Sequence, residues 1–465
     1  MNNATFNLWE SPTTVSRNAL KWRLAALLSL ALATASKFAR PQTGLVQPSA
    51  NQATQSVAIT GVTLIDVATG QRQEGVTVVT RGDRIAAIGS AIAIPGGAAK
   101  VDGKGKFLIP GLWDMHTHHQ ATGTDWVDLF VAKGVVGTRD MGGDADFILP
   151  LRERIKSGAV FGPEIVAAGP ILDDAPPGFP YRRRVRNVQE AKAAVVDLKR
   201  LGVDFIKVHD RTPREAFFAI AEEAPKLGLP FAGHVPFGVK VEEAAEAGIR
   251  SIEHLSNYDV FGECLVDGKY TKTGCKRLFQ KLAAKKIWQT PTMASCQTLP
   301  DVFGGKPLEH VEYASDSLLE LTRENVELSH IRKEVLDEMR QAAQISLQAI
   351  HDLHSAGNQF LAGCDDLVPG FCLHDELEWF TKAGFSSLEA LQTATINPAR
   401  FLAREDSQGT IQVGKRADLV LLDADPLIDI RNVKQIADVV VRGKLLTKPE
   451  IERIVSSHRR RGAQK

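Results

Sequence analysis

The sequence lacks several features that mark whole classes of protein. Its formal net charge is only +1, so it has no excess of basic residues with which to bind nucleic acid or an anionic membrane surface. Its five cysteines include no pair at the CxxC spacing, which argues against a zinc site built from thiolates. No apolar run approaches the roughly 20 residues that a membrane-spanning helix needs. The 465 residues, 44% hydrophobic and 24% charged, predict a globular protein of two or three domains, or of one barrel with an appendage.

The amino-terminal stretch predicts export. Basic residues precede the short apolar run Leu24–Ala35, which ends in a small-x-small cleavage pattern. We therefore expect a secretory signal peptide over residues 1–35, a mature chain that starts at Ser36, and a periplasmic or secreted protein. A buried helix is the alternative interpretation of this run. The polar stretch 36–56, rich in Pro, Gln, Thr, Ser and Ala, predicts a linker.

An exported protein can keep disulfides, so the cysteines are candidates for pairing. Cys264 and Cys275 bracket a polar loop and are a candidate disulfide. The odd number of cysteines leaves at least one free thiol.

The two ends of the chain predict short β-strands. Residues 57–108 alternate in hydrophobicity, with Gly and Asp at the turns, and residues 405–447 repeat this pattern. These two stretches predict one composite β-sandwich built from both ends of the chain, and residues 448–465 predict a tail.

The middle of the chain, residues 109–404, predicts an α/β architecture. Helical stretches that end near Gly202, Gly228 and Gly248 alternate with apolar strand-like runs. Eight such runs favour a TIM (β/α)8 barrel over an open sheet; they are LWDMHTH, VVGTRDM, EIVAAGPIL, DFIKVHD, PFAGHV, RSIEHL, IWQTPTM and QFLAGCD.

A pair of histidines gives the clearest chemical signal. His116 and His118 end the strand-like run after Pro110 and Gly111. Side chains two apart on a strand point to the same face, so the two imidazoles converge as half of a metal site. A histidine-rich loop is the alternative.

In a TIM barrel the functional groups lie at the carboxyl ends of the strands. Six nitrogen or oxygen ligands fall at or near such ends, and their chemistry suits zinc or a similar divalent ion: His116, His118, Lys207, His234, His254 and Asp365. Taken singly, a histidine here can be a hydrogen-bonded core residue and Asp365 a loop cap. A lysine in a buried strand needs a carboxylate partner, or carbamylation, which converts it into an anionic oxygen ligand.

The motifs together resemble the amidohydrolase superfamily of metal-dependent hydrolases. PGLWDMHTH, FIKVHD, AGHV, IEHL and AGCD match its ligand motifs, and GTIQVGKRADLVLLDADPL is similar to its carboxyl-terminal return to the β-sandwich. The spacing is closest to the imidazolonepropionase-like and Xaa-Pro dipeptidase (prolidase)-like subgroup. Cys364 departs from the family, which usually has threonine before the aspartate. We expect that change to affect packing more than ligation.

The resemblance implies two zinc ions per chain. His116, His118 and Asp365 would hold the more buried ion, and His234 and His254 the second. A carbamylated Lys207 and a hydroxide would bridge the ions, with Asp365 as the acid–base that moves a proton from water to the leaving nitrogen. An unmodified Lys207 would instead imply one ion and an indirect role for His254.

Four further features are weaker candidates. His209 shares the face of Lys207 and can contact substrate, orient a ligand or make a structural hydrogen bond. Tyr258 follows His254 and can hydrogen-bond a tetrahedral oxygen of the substrate. The basic run Tyr181–Arg186 follows the third strand, where one arginine can pair with a substrate carboxylate. His374, after the last strand, is a candidate to line the pocket.

The sequence therefore predicts a zinc-dependent hydrolase of an amide or peptide C–N bond. The expected partner is a small dipeptide or N-acyl amino acid, with no nucleic acid, no membrane after signal cleavage, and a homo-oligomeric state. A cyclic amide (imidazolonepropionase-like) or lactone hydrolase is the alternative within enzymes, and a non-catalytic metal-binding barrel is the alternative outside them.

Overall fold

The computed structural model describes residues 56–176, 181–256, 260, 264–266, 269–314, 333–365 and 368–459. The predicted signal peptide, nearly all of the predicted linker and Tyr258 lie outside these ranges. Within them, every helix is too short or too polar to cross a membrane.

The strands are short and are spread over the whole described chain. In chain order they are β1 Val57–Ile65, β2 Arg72–Arg81, β3 Arg84–Gly89, β4 Ala99–Asp102, β5 Phe107–Pro110, β6 Leu112–Thr117, β7 Val135–Asp140, β8 Glu164–Ala167, β9 Ile171–Asp173, β10 Arg182–Arg184, β11 Ile206–Val208, β12 Phe231–Gly233, β13 Ser251–Glu253, β14 Leu265–Val266, β15 Lys269–Tyr270, β16 Trp288–Thr290, β17 Gln359–Phe360, β18 Leu419–Leu422, β19 Ile436–Val441 and β20 Lys444–Leu446.

The α-helices lie mainly between the strands of the middle region. In chain order they are α1 His119–Thr122, α2 Val127–Ala132, α3 Ala145–Lys156, α4 Val188–Leu201, α5 Arg214–Lys226, α6 Val241–Glu246, α7 Lys272–Ala284, α8 Met293–Phe303, α9 Lys333–Ser355, α10 Phe371–Lys382, α11 Ser387–Thr393, α12 Ile396–Phe401 and α13 Lys448–His458. Gly202, Gly228 and Gly248 have positive φ at the ends of α4, α5 and α6, as the sequence predicts.

One mixed sheet contains strands from both ends of the chain. Its order is β20-β19-β18-β5-β1-β2-β3, with β4 paired to β1. The junction is the antiparallel pair β5 and β18, in which Pro110 lies opposite Leu419 and Phe107 opposite Leu422. Apolar side chains on both strands drive this pairing, because Leu108, Ile109, Leu419 and Leu421 are buried.

The middle strands are parallel and form two sheets, β6-β7-β8 and β10-β9-β11-β12-β13-β16-β17. Backbone hydrogen bonds also link the two sheets. Asp204 N donates to Ala167 O across 2.9 Å, and Met115 N donates to Ala362 O across 2.8 Å. These bonds bring the segment after β17 against β6, where the histidine pair lies.

The predicted third strand is interrupted in the structure. The run EIVAAGPIL divides into β8 and β9 because Gly169 adopts a φ of 67° and the following Pro170 has no N–H for the ladder. Pro213 is the N-cap residue of α5.

Helices α4, α5 and α6 cover the parallel strands with small and aromatic side chains. Ala194, Leu198 and Phe217 are buried in the same core as Ile206 and Phe231 of β11 and β12. Truncating such a phenylalanine to alanine typically costs about 3–5 kcal/mol of stability. This packed layer fixes the strands whose ends carry the functional groups.

Candidate metal centre

Asp365 lies at the middle of a group of histidines. Its Oδ1 is 3.5 Å from His116 Nε2 and 3.4 Å from His118 Nε2, and its Oδ2 is 3.8 Å from His254 Nε2. Asp365 N donates to His116 O across 2.8 Å, which ties the backbone after β17 to the end of β6. The carboxylate therefore faces three imidazole nitrogens, two from β6 and one from the end of β13.

His234 extends this group at the end of β12. Its ring centroid lies 4.9 Å from that of His254, and the centroid of His254 lies 4.6 Å from that of His116. All four predicted histidines are buried, with exposures of 7% or less. The structure thus brings together four imidazoles from three strands.

Lys207 lies on β11, next to β12, with 1% of its surface exposed. It pairs with Ala232 of β12, and the adjacent Gly233 has a φ of 137°. A Cβ at Gly233 would clash with the carbonyl of Val208 and would lie 3.1 Å from Lys207 Cδ, so glycine leaves room for the lysine stem. Burial lowers the pKa of Lys207 to about 8, which makes a neutral amine accessible near physiological pH.

Each clustered histidine has its Nδ1 atom engaged away from Asp365. His118 Nδ1 donates to Gly142 O across 3.0 Å, and His234 Nδ1 donates to Asp210 Oδ1 across 2.7 Å. These contacts place the proton on Nδ1, so Nε2 is the ring nitrogen that carries the lone pair.

The other two histidines follow the same pattern. His116 Nδ1 lies 3.0 Å from Glu253 Oε2, and His254 Nδ1 lies 2.5 Å from Thr292 Oγ1. The Thr292 hydroxyl donates its own hydrogen to Pro291 O, so it accepts from His254. The four histidines thus share one tautomer, and the Nε2 atoms of His116, His118 and His254 converge on Asp365.

Burial sets the charge of three histidine rings. It lowers the pKa of His116 and His234 well below the ordinary value and that of His254 to about 3, so these three rings are neutral at pH 7. Neutral imidazole is the form that binds a metal ion.

A buried ion pair beneath the histidines is absent from the sequence-based predictions. Arg139 Nη2 donates to both carboxylate oxygens of Glu253 across 2.9 Å, and its Nε donates to Met115 O across 2.7 Å. Ser251 and Thr290 accept further hydrogen bonds from the guanidinium. The sequence does contain a signal for this ion pair, because Arg139 and Glu253 are charged residues within two of the predicted strand-like runs.

Asp114 joins β6 to the segment that follows β17. Its Oδ1 accepts from His116 N across 3.1 Å and from Cys364 N across 3.0 Å. Burial raises the pKa of Asp114 to about 7. This carboxyl group sets the position of the backbone on both sides of the site.

His209 lies beside the cluster rather than at Asp365. Its ring stacks on that of His234 with centroids 4.0 Å apart, and its Nε2 lies 3.3 Å from Arg182 Nη2. Arg182 in turn donates to Asp173 Oδ2 across 3.1 Å. The structure therefore brings one arginine of the basic run next to the histidine cluster.

His374 has a different environment from the predicted one. It lies on α10, where its Nε2 donates to Lys133 O across 2.9 Å. That hydrogen bond gives His374 a structural role.

The cysteines form two disulfides in the structure. Cys264 is joined to Cys275, as the sequence suggests, and Cys364 is joined to Cys372. Cys296 is a free, partly buried thiol.

The donor set fits a divalent metal ion. The Nε2 atom of His116 and the Oδ1 atom of Asp365 are buried without a hydrogen-bond partner among the described residues. The ligand atoms of His116, His118 and Asp365 lie within 4.8 Å of one another. Buried polar atoms normally have partners, and imidazole with carboxylate is a donor set that zinc and similar ions prefer.

The sequence model of the amidohydrolase family matches residues 107–446. The chain belongs to the amidohydrolase family. The matched range includes all six predicted ligands of this amidohydrolase.

Two curated relatives match parts of the amidohydrolase. The chain is 32% identical over 115 residues to deacetylase Atu3266 of Agrobacterium fabrum, a match that covers 22% of the chain and 28% of that relative. It is 30% identical over 169 residues to ochratoxinase of Aspergillus niger, covering 32% and 35% respectively. The matches thus span about a third of the length of each relative.

Solved structures match nearly the whole chain in fold. A Xaa-Pro dipeptidase with bound methionine has a TM-score of 0.67 at 21% identity, covering 84% of this chain and all of that one. A putative prolidase from Bifidobacterium longum has a TM-score of 0.67 at 24% identity, covering 87% and 99%. Bottromycin amidohydrolase has a TM-score of 0.68 at 20% identity, covering 95% and 96%. The amidohydrolase therefore shares their α/β fold.

Proposed function

We propose that this amidohydrolase is a zinc-dependent enzyme that hydrolyses the C–N bond of a small dipeptide or N-acyl amino acid. One observation carries the proposal: three imidazole Nε2 atoms surround the Asp365 carboxylate, and each ring has its Nδ1 engaged elsewhere. Membership of the family supports amide hydrolysis. The dipeptidase and prolidase among the structural neighbours support the choice of substrate class.

Each chain is proposed to bind two metal ions. His116, His118 and Asp365 would hold one, His234 and His254 the other, and Lys207 as a carbamate would contribute oxygens to both. When bound, such ions supply a water of lowered pKa and polarise the carbonyl of the scissile bond.

Asp365 is the proposed acid–base. Its carboxylate lies between imidazoles of two strands, so it is held at the centre of the site. From that position it can accept a proton from the attacking water and deliver it to the leaving nitrogen. Its backbone has a φ of 57°, a conformation that only a well-determined segment maintains.

Arg182 and His209 are the proposed contacts for a substrate carboxylate. Arg182 lies against His209, and His209 stacks on His234, so the guanidinium is one ring away from a proposed ligand. A guanidinium binds carboxylates through parallel hydrogen bonds. Tyr258 stays a predicted substrate contact outside the described residues.

The eight predicted strand-like runs, of which β8 and β9 together form the third, are proposed to close into a barrel. The bonds from Asp204 to Ala167 and from Met115 to Ala362 support this closure, because they link the two sheets on both sides. The mixed sheet supports the proposed composite domain from both chain ends. Export is likewise proposed, and the two disulfides suit an oxidising compartment.

A substrate screen tests the proposed function. The zinc-loaded protein is incubated with libraries of dipeptides, N-acyl amino acids, cyclic amides and lactones, and free amine and acid are measured. We expect turnover of dipeptides or N-acyl amino acids, and none with Asp365→Asn. Turnover confined to cyclic amides or lactones would overturn the substrate assignment. A zinc-loaded protein that cleaves nothing would favour the non-catalytic barrel.

The same screen tests the carboxylate contact. Each active dipeptide is compared with its carboxyl-terminal amide in the parent protein and in Arg182→Met. We expect the parent to prefer the free carboxylate and the variant to lose that preference mainly through KM. An unchanged preference in the variant would remove Arg182 from substrate recognition.

A further inference from the structure

We propose that the Cys364–Cys372 disulfide is a positioning device that holds Asp365 in its metal-binding position. The inference rests on the proposed function of Asp365 as a ligand.

The disulfide encloses Asp365 in a small covalent ring. Cys364 immediately precedes Asp365, and Cys372 lies in the first turn of α10. Their Cα atoms are 5.8 Å apart, and exposures of 2% and 4% show both residues buried. The covalent bond therefore limits how far the backbone at Asp365 can move from α10.

Polar contacts fix the backbone on the other side of this ring. Cys364 N donates to Asp114 Oδ1 across 3.0 Å, and Ser295 Oγ donates to Cys364 O across 2.6 Å. A Cβ at the preceding Gly363 would lie only 2.7 Å from His116 Cβ, so this segment passes very close to β6. Asp365 itself has the left-handed φ of 57°, which needs such support in a residue with a Cβ.

Helix α10 also contacts the His254 side of the site. The buried Glu376 on this helix accepts from Ala294 N across 2.7 Å, at the start of α8. Thr292, two residues before Ala294, accepts from His254 Nδ1. Helix α10 thus supports His254 through Glu376, and it supports Asp365 through the disulfide. Opening the disulfide therefore uncouples the position of Asp365 from that of His254.

The bond can be opened by a dithiol. The two cysteine sulfurs take up two electrons and two protons as thiols, while the two thiols of the reagent lose them and form its own disulfide. No other co-reactant is needed.

The test compares two double variants. Cys364→Ser/Cys372→Ser removes the ring around Asp365. Cys264→Ser/Cys275→Ser removes a second buried disulfide whose ring of similar size holds none of the proposed ligands. Zinc affinity is measured by competition with a chromophoric chelator, and folding by circular dichroism. We expect about 10- to 100-fold weaker zinc binding in the first variant, the range seen when support for a ligand is lost, and unchanged binding in the second.

Reduction gives a second measurement that does not depend on folding of the first variant. In Cys264→Ser/Cys275→Ser the 364–372 bond is the remaining disulfide, so a dithiol opens that bond alone. We expect the zinc affinity, measured without oxygen after the dithiol has been removed because thiolates themselves bind zinc, to fall on reduction and to recover after reoxidation.

Several results would overturn the inference. The first is an unchanged zinc affinity in the variant without the 364–372 disulfide, and the second is an equal loss of zinc affinity in the two double variants. The third is free thiols at Cys364 and Cys372 in the untreated protein. A parent protein that binds no zinc at all would instead overturn the proposed function, and the inference with it.

Discussion

His234 and Asp210 form a hydrogen bond of 2.7 Å between the ring Nδ1 and the carboxylate Oδ1, both buried at the ends of neighbouring strands. This contact fixes the tautomer of His234 and increases the basicity of its Nε2. Burial raises the pKa of Asp210 to about 7, so the carboxylate depends on its cationic and imidazole neighbours to stay ionised.

Replacing this carboxylate therefore weakens metal binding without removing a ligand. We expect Asp210→Ala to lower zinc affinity by roughly 10- to 100-fold, because His234 loses the partner that orients it. Asp197→Asn, an exposed aspartate paired with Arg183, is the matched control. Chelator competition measures both variants, and equal affinities would show that Asp210 has no orienting role.

We expect the buried Arg139–Glu253 ion pair to contribute to the stability of the fold. Arg139→Met leaves the fully buried Glu253 carboxylate without its bidentate partner, and breaking a buried pair costs about 3–5 kcal/mol. We expect that loss in urea denaturation of zinc-free protein. Arg152→Met, which removes a more exposed pair with Asp204, is expected to cost less than about 1 kcal/mol. Similar losses in the two variants would contradict the special role assigned to Arg139.

The carbamate assigned to Lys207 can be replaced chemically. Lys207→Ala is expected to lose bound zinc and activity, and a short carboxylic acid should restore part of both by occupying the vacated space. Metal analysis with and without added propionate is the measurement. Lys199→Ala, on the surface end of α4, serves as the control and should keep both properties. Full zinc content in Lys207→Ala without added acid would show that the lysine is not a ligand.

Carbamate formation should depend on pH in a defined direction. Carbon dioxide reacts with the neutral amine, and burial lowers the pKa of Lys207 to about 8, below the ordinary value of 10.5. Carbamylation of zinc-free protein should therefore increase as pH rises through about 8, well below the pH at which an exposed lysine reacts. A carbon-13 resonance from labelled bicarbonate reports it, with Lys207→Ala as the blank. A midpoint near 10.5 would contradict the buried environment.

Much of the site could be predicted from the order of residues on strands. His116 and His118 share a face because side chains alternate along β6, and the other ligands follow from the rule that functional groups gather at strand ends. The sequence also predicted a composite β-sandwich from both ends of the chain, and the mixed sheet does contain strands from both ends. These inferences depend on the alternation of side chains along single strands, which can be recognised in the sequence itself.

The supporting contacts depend on long-range geometry and could not be predicted in the same way. Arg139 meets Glu253 although 114 positions separate them, and no local pattern pairs the two. The sequence suggested that Cys264 pairs with Cys275 but gave no reason to join Cys364 to Cys372. The residues that surround His209 could not be predicted either: the structure shows its ring stacked on His234 and next to Arg182, while its expected role as a substrate contact stays a prediction.

The zinc content of the purified protein tests the proposed metal centre most directly. Elemental analysis after zinc loading and removal of free metal should give close to two ions per chain, with a marked loss in His116→Ala and His234→Ala. A value near one would contradict the bridging role of Lys207. Retention of no zinc by the folded parent protein would contradict the central claim that these histidines and Asp365 form a metal centre.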